Sequence, residues 1–235
     1  MTHRTVTDAV LAATGDRARP LLTYYGPDQR VGLSGTTLEN WAAKIANYLR
    51  DEAGLVPGDS VLVDLPEHWQ TAAVLLGVWW AGLRVELPGD DATQARVVFA
   101  DRSGIERQPD ADELVVVPLD PFGGRVPDLP PFATDFGDTV RPHGDHFSPA
   151  GAGPQALGER SVAQVLSAAR EAADRDHLAP GARVLSCRPW RTADEMVANL
   201  LGPLTAGAAL IWVDPAADQD LSGIAATENA DRTLD

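Results

Sequence analysis

The chain has 235 residues, of which 44% are hydrophobic, and a formal charge of −15 at neutral pH. That charge repels nucleic acid and acidic membrane surfaces and steers no other anion toward the protein, while the hydrophobic share is enough for a real core in one large α/β body or two small ones. A single cysteine, Cys187, excludes an internal disulfide and a cysteine-based metal cluster.

In chain order, Leu21 to Tyr25 and Arg30 to Leu33 read as a hairpin through Gly26-Pro27-Asp28. The first clear helix opens after Gly35, where Thr36 and Glu39 have capping-box spacing. Leu38, Trp41, Ala42, Ile45 and Leu49 fall on one of its faces. A turn at Val56-Pro57-Gly58-Asp59 leads into a strand from Ser60 to Leu65, and Pro66-Glu67 opens a second helix. That helix contains the longest apolar run, Thr71 to Leu83, which is too short to span a bilayer. It hands over near Gly82 to a strand from Leu83 to Leu87, completing a βαβ unit. Asp90 or Asp91 can cap a third helix to about Asp101, and Glu113 to Pro118 reads as the next strand.

Residues 118–149 are rich in Pro, Gly and Asp and read as a linker or long excursion. They separate a first α/β unit, 1–117, from a second, 150–235, the two packed as one compact body. The second contains a helix from Glu159 to Ala172, a strand from Arg183 to Cys187, a helix from Thr192 to Thr205 and a strand from Ala208 to Val213. A short helix from Leu221 to Ala226 sits in a tail expected to fray. Alternating strands and helices favour mostly parallel sheets with helices on both faces. The opening residues lack a signal-peptide core, so the expected location is cytoplasmic.

The chemistry centres on a glycine-rich segment, Phe147 to Gly158. A loop that holds a polyphosphate needs small residues, hydroxyls and usually a cation. Gly151, Gly153 and Gly158 meet the first need, but Ser148 is the only hydroxyl, Pro149 and Pro154 have no N–H, and the chain's one lysine, Lys44, is far upstream. On residues alone the segment reads as a connector rather than a working cradle. His143, Asp145 and His146 cluster without a fourth ligand and read as an exposed polar loop. His68 reads as a half-buried, hydrogen-bonded side chain, His177 as a helix C-terminal residue, and Cys187 as a buried structural thiol. Trp41, Trp79 and Trp80 read as core. Trp190 and Arg191, at a strand-to-helix junction, mark the edge where open α/β sheets bind ligands. No catalytic set and no metal site is recognisable.

The order of motifs resembles the N-terminal region of the AMP-binding, adenylate-forming superfamily, which includes acyl-CoA synthetases. The resemblance rests on Thr37-Leu38-Glu39-Asn40-Trp41-Ala42, Gly54-Leu55-Val56-Pro57-Gly58-Asp59-Ser60-Val61, Leu65-Pro66-Glu67 and Val78 to Pro88. It continues through Leu178-Ala179-Pro180-Gly181-Ala182-Arg183-Val184 and Leu201 to Val213, so it covers almost the whole chain. The family's phosphate loop reads Thr-Ser-Gly-Thr-Thr-Gly-x-Pro-Lys-Gly. Against it, Ser148 retains a hydroxyl and Gly153 a glycine, while Ala156 or Leu157, depending on the anchor, stands where the lysine should be. The family's later motifs and its small C-terminal domain have no counterpart here.

The resemblance therefore implies a short, truncated relative of acyl-CoA synthetases, a pseudoenzyme acting as a binding or regulatory module, with no catalytic residue and no cofactor. A first alternative is a ligase-like protein that binds a nucleotide (ATP or AMP with Mg²⁺) or an acyl group and is completed by a second polypeptide; if active it would be an AMP-forming acid–thiol ligase. A second is a structural oligomerisation module. A homo-oligomer or protein partner is accordingly expected, and neither nucleic acid nor membrane insertion.

Overall fold

A computed structural model of the chain describes residues 5–89, 95–108, 111–217 and 219–234. In chain order the elements are α1 (Val6–Ala13), β1 (Pro20–Tyr25), β2 (Arg30–Ser34), α2 (Gly35–Asn47), β3 (Ser60–Asp64), α3 (Trp69–Trp80), β4 (Arg84–Glu86), β5 (Val97–Ala100), β6 (Glu113–Val116), β7 (Ala133–Asp135), α4 (Phe136–Val140), α5 (Val162–Arg175), β8 (Arg183–Ser186), α6 (Ala193–Glu195), α7 (Gly202–Thr205), β9 (Ala209–Val213), α8 (Leu221–Glu228) and β10 (Arg232–Leu234). Wide π-helical turns, Tyr48–Glu52 and Met196–Leu201, continue α2 and join α6 to α7. No helix among the described residues is long and apolar enough to cross a membrane.

The chain divides into two compact units, Met1–Thr7 with Glu39–Val162 and Asp8–Leu38 with Ala163–Asp235. This differs from a division at residues 118–149. The β1–β2 hairpin pairs with β9 rather than with the strands that follow it, so the chain starts one sheet, builds the other and returns.

The first unit holds a wholly parallel sheet in the order β4-β3-β5-β6-β7. Its central strands are buried on both faces, which is why they read as unbroken apolar runs. The segment Val97–Ala100, expected to end a helix, is instead the middle strand β5, because its valines and phenylalanine suit a fully buried strand. The proposed caps Asp90 and Asp91 lie outside the described residues. Residues 118–149 are not simply a linker, since they supply β7 and α4, with Phe136 and Val140 fully buried. Asp135 starts α4 by accepting the Asp138 N–H at 2.8 Å.

Every residue of α3 is buried. It begins at Trp69 rather than at Pro66, because His68 is extended and its ring nitrogen accepts the Gln70 N–H. Similarly, α2 is capped two residues earlier than the Thr36–Glu39 pattern implies, with the Ser34 hydroxyl accepting from the Thr37 N–H at 3.1 Å.

The second unit holds a sheet in the order β10-β8-β9-β1-β2, parallel except for the β1–β2 hairpin. Its tail is built in rather than frayed: β10 pairs with β8, and α8 packs Ile224 on Tyr25, Leu185, Ile211 and Val213. The helix beginning at Ala193 carries a true capping box, Thr192 with Glu195.

Candidate functional site

The glycine-rich segment lies in the first unit as a sixth, irregular strand along the free edge of β4. Leu157 pairs in parallel with Val85, the Val85 N–H donates to Ala156 O at 2.9 Å, and the Gly158 N–H donates to Val85 O at 2.9 Å. Upstream, the Gly153 N–H donates to Gly82 O at 2.9 Å, and the Gly58 N–H reaches the same carbonyl at 3.1 Å. The Ala156 and Leu157 N–H groups both turn back to Arg160 O. The backbone donors of Gly153, Ala156, Leu157 and Gly158 are thus spent inside the protein, where a phosphate cradle would aim such groups at the anion.

The glycines have a packing reason. A β-carbon on Gly82 would sit 2.1 Å from Gly151 O, and one on Gly153 would sit 2.4 Å from the Gly58 Cα. Backbone meets backbone at each contact. Both candidate lysine positions are interior, Ala156 being 3% and Leu157 1% exposed. The buried Trp79 indole N–H fixes Ala156 O at 2.8 Å. Ser148 is exposed.

The approach to this segment is held by α2 and its π-helical turn. Lys44 Nζ donates to Arg141 O and His143 O and pairs with Asp145 at 2.6 Å. The Asn47 amide donates to Gly144 O and His146 O, both at 3.0 Å. Arg50 lies over the Phe147 ring at 4.7 Å. The one lysine therefore serves as a loop clamp. His143 faces Glu52 at 3.1 Å, so the His143–His146 cluster is tied to protein partners. Among the described residues no group of three or more His, Cys, Asp or Glu side chains is arranged to hold a metal ion.

Trp190 and Arg191 lie in the second unit, just past β8. The Trp190 ring is only 2% exposed and stands edge-on to Trp212, which stacks on Tyr24 at 5.7 Å. The Trp212 indole donates to Arg188 O. Arg191 is exposed and its backbone N–H is taken by Glu195 of the capping box. The structure places the glycine-rich segment and this junction in separate units.

Sequence reasoning missed one place. In the first sheet β3 connects to β4 on one side, while β5 and β6 run outward on the other, so a topological switch point lies between β3 and β5. At its carboxyl end Arg107 bridges Asp64, which ends β3, and Asp101, which follows β5, at 3.0 and 3.4 Å. Ser103 and Gln108 join the same network. A cleft of 520 Å³ opens beside it, lined by Ser103, Val117 and Asp120 among others. Asp120 is committed to the Phe122 and Gly124 N–H groups. His68, at the start of α3, is buried, and burial pushes it down to about 3, so it remains neutral. The sequence signal was faint: an aspartate at or just after each of two strand ends, with an arginine downstream.

No protein-family model matches the sequence. A protein of Mycobacterium tuberculosis (strain ATCC 25618 / H37Rv) described as a TIGR03089 family protein is 41% identical over 239 residues, covering 97% of this chain and 96% of that one. Among solved structures, a Brucella canis acyl-CoA synthetase is similar with a TM-score of 0.76 at 19% identity, over 97% of this chain and 46% of that one. Apo MbtA of Mycobacterium smegmatis gives 0.71 at 20%, over 99% and 48%. The anthranilate CoA ligase AuaEII in complex with anthranoyl-AMP gives 0.71 at 16%, over 90% and 45%. The fold is that of the N-terminal region of AMP-binding, adenylate-forming ligases, and the chain spans about half the length of each.

Proposed function

The chain belongs to the TIGR03089 family, and from that premise we propose that it is a non-adenylating homologue of the N-terminal region of acyl-CoA synthetases that acts as a binding or regulatory module. One observation carries this reading: the segment in the phosphate-loop position spends the N–H groups of Gly153, Ala156, Leu157 and Gly158 on Gly82, Arg160 and Val85 and buries both positions where a lysine would stand. Adenylation must stabilise charge developing on the transferred phosphate, and preorganised donors and cations are usually the largest catalytic contribution. A segment that lacks the lysine and turns those four donors inward leaves that charge unmet.

A second reading is favoured by the share of each ligase that the chain spans, 45–48% in the three compared. In it, a second polypeptide completes a site for a nucleotide with Mg²⁺ or for an acyl group, and the partner supplies the missing cations.

The test is to incubate the purified chain with ATP, Mg²⁺ and a panel of carboxylic acids and to look for acyl-adenylates by mass spectrometry. The expected yield equals that of the protein-free control. Protein-dependent acyl-adenylate would overturn the first reading.

A further inference from the structure

We infer that α8 and β10 form a strap that opens as one piece while the rest of its sheet stays folded, with the Glu228 carboxylate as its fastening. The strap's apolar hold is narrow: Leu221, Ile224, Ala225 and Ala230 rest on Tyr25, Leu185, Ile211 and Val213, and Leu234 on Val184 and Ala208. In α8 the buried side chains are Ile224 and Glu228, and in β10 only Leu234 is buried. β10 is a three-residue edge strand paired to β8 alone.

The polar hold converges on one residue. Glu228, 5% exposed, takes the Tyr25 hydroxyl at 2.7 Å and the Arg30 Nε at 2.9 Å on one oxygen, and the Arg183 Nη2 at 2.7 Å on the other. Arg183 also donates from Nε to the Glu228 carbonyl at 2.5 Å, and from its backbone N–H to Asp231 at 2.7 Å. These partners come from β1, β2 and β8, so one carboxylate ties the strap to three strands. When the strap lifts, the carboxylate and both guanidinium groups regain water, which offsets much of what their separation costs. Opening bares one face of Leu185 and Ile211, whereas global unfolding also exposes Val184 and Leu210, both 0% exposed, with no such compensation. Local opening therefore precedes global unfolding. The opened form bares the apolar face of Tyr25, Leu185, Ile211 and Val213, together with the edge of β8, where backbone groups can pair with another strand.

Native-state hydrogen exchange of the full chain in increasing urea tests this. The amides of α8 and β10 are expected to be protected about 100-fold less than those of β9, with a weaker urea dependence. Glu228→Gln should lower strap protection roughly 30-fold and β9 protection by no more than that, since the contacts it removes are absent from both opened forms, whereas Leu210→Ala should lower β9 protection and leave that of the strap unchanged. Equal protection and equal urea dependence of α8 and β9 in the unmodified protein, which needs no variant to fold, would overturn the inference. So would a Leu210→Ala variant in which the strap loses protection in step with β9.

Discussion

Gly153 lies against Gly58 so closely that a β-carbon on Gly153 would come within 2.4 Å of the Gly58 Cα and 2.6 Å of its nitrogen. This contact gives the glycine-rich segment a purpose independent of any ligand: it seals the edge of the first sheet, where an uncovered β4 would present unpaired backbone groups.

Gly153→Ala should destabilise the protein by about 1–3 kcal/mol, because the clashing atoms are backbone and cannot swing aside. Gly82→Ala should cost at least as much, since Gly82 combines a φ of +80° with a Cβ position 2.1 Å from Gly151 O. Urea unfolding of both variants checks this. If the segment were a loose connector, Gly153→Ala would be neutral.

Installing a lysine at the position where adenylate-forming ligases carry one should not create a phosphate site. Ala156→Lys places an ammonium group at a position 3% exposed, beneath the Trp79 indole. It should lower stability by several kcal/mol and leave ATP binding undetectable. Gain of nucleotide binding in this variant, measured by calorimetry, would show that the loop faces a ligand.

Much of the fold was legible because its signals are local. The hairpin through Gly26-Pro27-Asp28 and the βαβ unit from Ser60 to Glu86 follow from turn residues and apolar runs within a few positions of each other. What escaped depends on distant partners. Val97–Ala100 is a strand because β3 and β6 flank it, and Arg232–Leu234 is one because β8 offers an edge. The exchange of strands that joins β1 and β2 to β9 leaves no mark in the sequence around residue 35. For the candidate site, the missing hydroxyls and lysine could be read directly. The packing of Gly153 on Gly58 and Gly82 could not, since those residues lie far upstream and carry no side-chain signal.

The Glu228 knot sets an acid limit on stability. Burial pushes its carboxyl up, but the hydrogen bonds from Tyr25 and Arg30 and the charges of Arg30 and Arg183 outweigh this and hold it below the ordinary carboxylate value. A lowered folded-state value means that the stabilisation is complete above the unfolded carboxylate value of about 4.3 and is lost as pH falls through the folded one. Glu228→Gln should therefore cost about 2–4 kcal/mol at pH 7, toward the low end because Arg30 is half exposed. The difference from the unmodified protein should hold from pH 7 to pH 5 and shrink below about 4.3. Urea midpoints across that range check it.

His68 should not titrate near neutrality. Burial lowers it to about 3, so between that value and about 6.5 the unfolded chain binds a proton that the folded protein refuses. Its contribution to stability is complete above about pH 6.5 and erodes as pH falls below it, by about 1.4 kcal/mol per unit. The ring signals of His68 in NMR spectra should stay fixed from pH 8 to pH 5. A midpoint near 6.5 would place the ring in water. His68→Ala should also cost about 1 kcal/mol through loss of the cap on α3.

Whether the glycine-rich segment receives a nucleotide decides between the proposed functions. Thermal stability of the purified chain across a series of ATP concentrations with Mg²⁺ tests this most directly, because any ligand that binds only the native state must stabilise it. The expected result is no shift up to about 100-fold the affinity of an ordinary micromolar site, a concentration at which such a site would contribute about 2.7 kcal/mol. A reproducible, concentration-dependent rise in melting temperature that Gly153→Ala abolishes would contradict it.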